Sequence, residues 1–545
     1  MSLFTAQLHP GRALGFLVLG AFLHDVLTRL KAEPQRFPKL EVIYSPEEPV
    51  TEPVCIVLPH NGIRLRFDGP EQRLRLIEVV DFTKNHVTFK DRDLLKPPAS
   101  GTSAPGSPIP GESSLGPTFR HIYHRLLGPT YDGEFIPPSS GSQEDGTYVL
   151  SYPGVAFNFP LAKSAYSPDK DVVTLLSSST SPSQVAASMA VFSGTSWAEA
   201  RQTLWTEALP SVKQTSVLPR TKDVYPDEVS LVRIHGGGKL DLFRKWTNNA
   251  FRIQLGETTP QELVMELGPP NAIYRKNEQK MIIHKMRATS NAHGRPSAGI
   301  GAVDFHRPDD LTDTDQSSMN TGSDDSENDE AIDDQLADSA NPSGECFYNY
   351  FYLGFDILLS PATQPSEAPP DGPGPGNAGP SSSSPSSSPS SSSSSSSDGA
   401  SNPIKSHHPD RLVATKLVLH GNVPGSYEFN RHRRCRWDIA YLEDHDSFPE
   451  AITSETSFRD IERRMNNKWE SAYPVGQKPQ RQRGMVLNRG WGDSPGSSCE
   501  FLGGWEESGA RRTGSNGDST TTLFGFPGLV FEVLRNDYVN TVTVF

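Results

Sequence analysis

The densest group of chemically active side chains in this sequence is a basic run, Arg431-His-Arg-Arg-Cys-Arg436, which is flanked by aromatic residues. Arginines next to aromatic side chains can bind phosphoinositide headgroups or nucleic acid. If the run is a strand, Arg431 and Arg433 share one face, and Arg434 and Arg436 share the other. These four arginines are the candidate contacts with a membrane or a partner. The simpler alternative is an edge strand that uses charge to prevent unwanted pairing.

Two glycine-rich motifs resemble parts of hydrolase sites. Gly492-Asp-Ser-Pro-Gly496 matches the spacing of a nucleophile elbow. However, Pro495 has no backbone N–H to donate to an oxyanion, and no histidine follows the motif. His235-Gly-Gly-Gly238 resembles an oxyanion strand without a nucleophile, and a hairpin turn is the better interpretation. We therefore predict no catalytic residue and no enzyme activity.

Metal and redox chemistry have weak support in the sequence. His121 and His124 lie three residues apart on a predicted helix, but a metal site needs three or four ligands and no third one can be assigned. The four cysteines, at positions 55, 346, 435 and 499, have no zinc-site spacing and are too few for a disulfide scaffold. We therefore expect free thiols, no metal and no cofactor.

Most of the net charge of -14 comes from one region, residues 304–345, which contains 14 acidic residues and one arginine. The rest of the chain is close to neutral, so composition gives no support for a nucleic-acid partner. Ser323 and Ser326 precede acidic residues in this region and are candidate phosphorylation sites. A solvated loop without a function is the simpler alternative.

Three segments have the composition of disordered inserts. Residues 97–117 are rich in proline, glycine and serine, residues 285–345 include the acidic region, and residues 360–403 include a tract with 15 serines in 17 positions. The last two inserts flank residues 346–359, the most apolar stretch of the chain. Because such a stretch must pack in a core, both inserts are predicted to be loops within one domain.

Four strands with a common pattern are predicted, each a glycine followed by apolar residues at alternate positions. They begin at Gly62, Gly154, Gly354 and Gly528. In the third of these, Phe355 and Ile357 should face the core and Asp356 should face outwards.

A short amphipathic helix is predicted before each of these strands. The best marked one begins with Thr259-Pro-Gln-Glu262, which has the pattern of a capping box with proline at the first helical position. The predicted fold class is thus α+β, with repeated units of a short helix followed by antiparallel strand meanders and three disordered inserts. The predicted boundaries are 1–96 for unit 1, 97–117 for a linker, 118–250 for unit 2, 251–284 with 346–359 and 404–445 for unit 3, 285–345 and 360–403 for the inserts, and 446–545 for unit 4.

The apolar run Leu14–Leu23 is too short to span a membrane and lacks the flanking pattern of a signal peptide. We interpret it as a buried strand and helix, and we expect a cytoplasmic protein.

Several of these blocks together resemble the phagosome assembly factor family of eukaryotes. The resemblance rests on residues 62–88, 154–160, 256–285, 348–359, 415–429 and 526–545, which occur in the family's order. The inserts and the N-terminus depart from the family pattern.

The resemblance implies a non-enzymatic adaptor in autophagy and vesicle-mediated transport. It further implies a WD40-propeller partner, a link to phosphoinositides, no small-molecule substrate, and a peripheral place at the phagophore assembly site or at trans-Golgi network membranes. Two alternatives stay open: a phosphoinositide-binding module that acts alone through the basic run, and an enzyme whose site residues are dispersed along the chain.

Overall fold

The computed structural model describes residues 3–95, 116–129, 133–137, 145–162, 185–206, 228–247, 249–275, 344–362, 411–442, 451–470, 484–488 and 520–545, with a few isolated positions between them. The predicted inserts lie almost entirely outside these ranges. Each half of the chain contains one small and one large β-sheet, and we refer to the strands before residue 207 and after residue 227 as the N-terminal half and the C-terminal half. The fold is mostly β, with few and short helices.

The N-terminal half begins with a small sheet in the order β3-β2-β1-β8-β9, in which β1 and β8 pair in parallel. Its strands are β1 (Phe4–His9), β2 (Ala13–Leu14), β3 (Leu17–Val18), β8 (Asn85–Phe89) and β9 (Arg92–Asp93). The run Leu14–Leu23 thus supplies strand residues and the start of a helix, as predicted.

The large sheet of this half is antiparallel, with the order β10-β11-β12-β13-β7-β6-β5-β4. Its strands are β4 (Glu41–Ile43), β5 (Val54–Leu58), β6 (Ile63–Phe67), β7 (Leu74–Val79), β10 (Gly133–Ile136), β11 (Asp145–Tyr152), β12 (Val155–Ala162) and β13 (Ser188–Phe192). Apolar side chains of both sheets form one core. Predicted units 1 and 2 therefore share a sheet, because β7 pairs with β13.

The C-terminal half repeats this arrangement. Its small sheet has the order β16-β15-β14-β21, and β14 and β21 again pair in parallel. The strands are β14 (Val229–Gly236), β15 (Lys239–Arg244), β16 (Ala250–Gln254) and β21 (Trp437–Ile439). The predicted turn at His235–Gly238 is confirmed as the hairpin between β14 and β15. This sheet crosses the boundary placed after residue 250; the unit boundaries themselves stay a prediction.

The second large sheet has the order β22-β23-β24-β25-β20-β19-β18-β17, which matches the first large sheet strand for strand. Its strands are β17 (Ala272–Arg275), β18 (Cys346–Tyr350), β19 (Phe355–Pro361), β20 (Leu412–His420), β22 (Met485–Asn488), β23 (Thr520–Phe526), β24 (Leu529–Val533) and β25 (Val539–Val544). The prediction of antiparallel meanders is confirmed. The parallel pairs of the small sheets were not predicted, because local periodicity carries no information about pairing partners.

Besides two single-turn 3-10 helices, Phe82–Lys84 and Ala440–Leu442, five α-helices are described: α1 (Leu23–Ala32), α2 (Phe119–His121, continued by a π-helical turn Ile122–Leu126), α3 (Trp197–Thr203), α4 (Pro260–Leu267) and α5 (Phe458–Trp469). In α4, Thr259 and Glu262 form the predicted capping box. The core face of α5 carries Phe458, Ile461 and Met465, as the spacing predicts. Among the described residues, no helix combines the length and the apolar character needed to cross a bilayer.

All four predicted glycine-led strands are present, as β6, β12, β19 and β24, and each leading glycine has a positive φ. At Gly354, which leads β19, the chain passes very close to another segment: an added Cβ would lie 2.5 Å from the carbonyl oxygen of Arg433. Only glycine fits there, because the backbone of residues 433–435 passes directly over this turn.

Candidate functional site

The basic run lies beside the turn that leads into β19, but it is not a strand. Residues 431 and 432 lie in a turn, residues 433–436 have no regular secondary structure, and β21 begins only at Trp437. The run is held by backbone hydrogen bonds from Arg433 N to Phe351 O and from Cys435 N to His420 O, at 2.9 and 2.8 Å. The alternative of an edge strand is therefore excluded for residues 431–436, since these bonds tie the segment to a hairpin end and to the last residue of β20.

Arg434 is buried inside the protein. Its guanidinium donates to the carbonyl oxygens of Pro70, Gly421 and Ser454 and to the carboxylate of Glu455, and the side chain is 1% exposed. A side chain with all these bonds is a structural anchor, and no membrane surface can reach it without unfolding the segment.

Two further arginines of the run also bind acidic groups of the protein. Arg433 pairs with Asp25 of α1 and stacks on the ring of Phe22, at 4.5 Å from its centroid. Arg436 pairs with Glu455, with Nε 2.9 Å from Oε1. Burial would raise the pKa of Glu455, but Arg434 and Arg436 outweigh it and lower this pKa to about 2.

Arg431 is the exposed member of the four. The role of the run as a membrane or partner contact stays a prediction, and the structure leaves Arg431 as the member whose guanidinium is best placed for it. The remaining candidates from sequence, Ser323, Ser326 and the motif at 492–496, lie outside the described residues.

The same segment brings the two halves of the molecule together. Besides the bonds of Arg433 and Arg434, Gln72 Nε2 donates to the backbone oxygen of Asn422, and Asn422 Nδ2 donates to Gln72 Oε1, across 350 residues of sequence. Both residues are buried and have positive φ values, 52° and 45°. Strained, buried polar residues persist only where the surrounding structure fixes them, so this joint is a defined contact between the halves.

A cluster of two buried histidines and one partly buried aspartate includes His432 of the basic run itself. Asp356 of β19 accepts a hydrogen bond from His420 at 2.9 Å and another from His432 at 3.0 Å. The two imidazole rings stack in parallel, with centroids 3.7 Å apart and planes within 6°. On its other side, His420 Nδ1 lies 3.6 Å from a carboxylate oxygen of Glu428.

The cluster divides its charge unequally. Burial would raise the pKa of Asp356, but hydrogen bonds from both histidines outweigh it and hold that pKa well below its usual range. Burial also disfavours a charged His420, yet its bonds to Asp356 and Glu428 raise its pKa to about 9. Burial, together with the charge of His420, lowers the pKa of His432 to about 4. At neutral pH the stack thus pairs one imidazolium with one neutral imidazole.

The donor atoms of Asp356, His420 and His432 lie within 4.8 Å of one another, a separation that a metal ion could use. However, the lone pair of an imidazole nitrogen lies in the ring plane, and two parallel planes share no point where one ion could bind both rings. The arrangement fits shared hydrogen bonds, and a metal would require one ring to turn. With its two nitrogens facing Asp356 and Glu428, His420 is also a poor general base.

Sequence reasoning missed Asp356 and His420, although one signal was present: Asp356 is the only charged residue in the apolar stretch 346–359. The histidine pair that was considered, His121 and His124, is not assembled into a site. His121 Nε2 lies 3.1 Å from the backbone oxygen of Asp93, and His124 is exposed.

Comparison with known proteins agrees with the family resemblance that the sequence shows. The family model for phagosome assembly factor 1 matches residues 13–298 and 406–545, which is most of the chain. A PHAF1 protein of Arabidopsis thaliana is 22% identical over 542 residues, covering 99% of this chain and 92% of the relative. A PHAF1 protein of Drosophila melanogaster is 21% identical over 551 residues, covering 97% and 90%. No solved structure matches the chain.

Proposed function

The chain belongs to the phagosome assembly factor 1 family, and from this membership we propose that it is a non-enzymatic adaptor subunit in autophagy and vesicle trafficking. The observation that carries the proposal is the extent of the match, which includes both halves of the fold and almost the full length of the plant and fly relatives. We further propose a WD40-propeller protein as the partner, and a peripheral location in the cytoplasm at the phagophore assembly site or at trans-Golgi network membranes.

The geometry supports an adaptor through the surfaces that it leaves open. The edge strand β17 exposes Ile273 and Tyr274, and the opposite edge strand β22 exposes Met485 and Val486, each by more than half. Exposed apolar side chains on sheet edges are typical of protein-binding surfaces. By contrast, the polar cluster at Asp356 is buried and internally bonded, which fits a structural role better than catalysis.

The proposal is tested by purifying the tagged full-length protein from its own cells, before and after starvation, and identifying bound proteins by mass spectrometry. We expect a propeller-fold protein in about equimolar amount, and a complex that persists in gel filtration. A protein that elutes alone, with propeller proteins only at background level, would contradict the adaptor assignment.

A second function is favoured by the exposure of Arg431, namely direct binding to phosphoinositides. If this arginine contacts an anionic membrane, Arg431→Glu should weaken flotation with phosphatidylinositol phosphate vesicles several-fold, because one basic residue near such a surface contributes about 1 kcal/mol. Raised salt should have the same effect. The matched control is Arg463→Glu, an exposed arginine on α5.

These vesicle experiments also separate the two functions. An adaptor that depends on its partner should float only when the propeller protein is added, whereas a module that acts alone should float without it. If wild-type protein floats alone and ignores both the Arg431 substitution and salt, the basic run is excluded as the membrane contact.

A further inference from the structure

The first large sheet has a short helix on its outer face. Helix α3 follows β13, and Trp197 and Ala200 of the helix, with Leu204 just after it, pack against five buried sheet residues: Leu76, Val149, Ala156, Ala190 and Phe192. The rings of Trp197 and Phe192 lie 5.2 Å apart, and the backbone N–H of Trp197 donates to Ser151 Oγ at 2.8 Å. This helix fully buries Phe192.

The second large sheet has a corresponding set of positions. Ala156 and Val530 each lie two residues after the glycine that leads their strand, and they pair with Ala190 and Thr543 respectively. When this register is extended over both sheets, each of the five residues under α3 has a counterpart in the second large sheet. In the same order, the counterparts are Lys416, Leu523, Val530, Thr543 and Phe545.

These five matched residues all line one groove of about 420 Å³ on the outer face of the second large sheet. Val418 adds to its apolar floor, and Glu532 lies at the end near His420. Phe545 is 49% exposed, whereas its counterpart Phe192 is completely buried. The groove therefore corresponds to the sheet surface that α3 covers in the N-terminal half, but no helix in the described part of the chain covers it.

We propose that this groove is the docking site for a short amphipathic helix of a partner protein, seated as α3 is seated in the N-terminal half. The sheet positions that differ indicate what the helix carries. Lys416 replaces Leu76, so we expect an acidic residue at that end. Phe545 and Val530 favour a large aromatic or aliphatic side chain between them, in the place of Trp197. The protein nature of the partner rests on the proposed adaptor function.

The test uses full-length protein with labelled methyl groups and a synthetic peptide of residues 195–206, the chain's own α3 segment. The native seat is already filled by α3, so the added peptide has only the second groove as a matching site. We expect saturable NMR shifts of the methyl groups of Val418, Leu523 and Val530, with a Kd on the order of 1 mM, since one short helix buries little area.

Two substitutions, one inside the groove and one outside it, make the test specific. Val530→Glu places a charge on the groove floor and should reduce peptide affinity at least tenfold. Ile43→Glu is the matched control, because Ile43 is 54% exposed on β4 of the first large sheet and does not line the groove, and it should leave binding unchanged. Circular dichroism and melting temperature show whether each variant is folded.

The proposal is overturned if these methyl groups do not shift at several millimolar peptide, or if the shifts persist in the Val530 variant. It is also overturned if replacing residues 489–519 with a short Gly-Ser linker changes the methyl signals of Val418 and Val530, since the chain's own segment would then be the occupant; the linker is needed because Asn488 and Thr520 pair directly. If the peptide binds the groove but no propeller protein co-purifies from cells, the proposed function is contradicted and the groove is not. If a propeller protein co-purifies but the peptide does not bind, only the proposed groove is contradicted.

Discussion

The two halves of this protein place the same strands in the same order, yet they use the same sheet position in opposite ways. Two residues after the leading glycine, β6 carries Arg64 and β19 carries Asp356. Arg64 is 40% exposed and lies 3.7 Å from Glu78, as in an ordinary surface ion pair. Asp356 instead joins two stacked, buried histidines. The comparison teaches that strand order alone does not decide whether an outward position is solvated; what covers it decides.

The largest expected effect follows from removing the charge of Asp356. Asp356→Asn leaves an imidazolium buried without its main carboxylate and should cost about 3–5 kcal/mol of stability. Arg64→Gln, at the equivalent position, should cost at most about 1 kcal/mol, since exposed ion pairs contribute little. Urea denaturation of both variants measures the difference. Equal costs would mean that the two positions are equally solvated and would remove the contrast between the halves.

The leading glycines offer a second contrast, between β19 and β24. Gly354 and Gly528 both have positive φ, and any side chain there costs about 1–2 kcal/mol from conformation alone. At Gly354, however, the new Cβ also meets the Arg433 carbonyl, whereas at Gly528 the nearest atom lies at 3.5 Å. Gly354→Ala should therefore lower the melting temperature clearly more than Gly528→Ala. The opposite ranking would show that the basic run does not pass over this turn.

The histidine cluster predicts how stability depends on pH. The pKa of His420 is raised to about 9, so its contribution is complete below the unfolded value of about 6.5 and is lost as pH rises through 9. The pKa of His432 is lowered to about 4, so its contribution is complete above 6.5 and is lost as pH falls through 4. Stability should thus be greatest near neutral pH.

Substitution of each histidine separates these two effects. His432→Gln should reduce the loss of stability at acid pH, and His420→Gln should reduce the loss of stability at alkaline pH. Each reduction should be roughly 1 kcal/mol or more in the free energy of unfolding. Thermal melts across pH 4–9 provide the measurement, with His124→Gln as an exposed control. A wild-type profile that is flat over this range would rule out the unequal division of charge within the stack.

The smallest expected effects concern the outer faces of the two large sheets. Trp197→Ala removes a partly buried ring from the covered face and should cost about 1–3 kcal/mol. Phe545→Ala changes the open face of the other half and should stay within about 0.5 kcal/mol, because the ring is half exposed. A large loss at Phe545 would indicate that this face is covered by the chain itself.

The local elements of this fold could be predicted from sequence with good success. Glycine followed by alternating apolar residues identified β6, β12, β19 and β24, and the capping box identified α4. Such features depend on residues only a few positions apart, and this local spacing is enough to determine the local backbone structure.

The candidate site depended on contacts that no local pattern contains. Asp356 and His432 lie 76 residues apart, and Arg433 and Asp25 lie 408 apart. The alternation of apolar residues in β19 correctly placed Phe355 and Ile357 in the core. For Asp356 it predicted only that the side chain points away from the core, and it did not predict that residues 431–436 pack against it.

By itself, the sequence determined the four glycine-led strands, the capped start of α4 and the likeness to a family, because these follow from composition and from spacing over short distances. The tertiary structure alone decided that the chain forms two halves with the same strand order, that Arg434 is an internal anchor while Arg431 is exposed, and that one large sheet is covered by α3 while the other bears an open groove. The physical reason is that pairing and burial are properties of surfaces brought together by folding, and a side chain's solvation is set by neighbours that can lie hundreds of residues away.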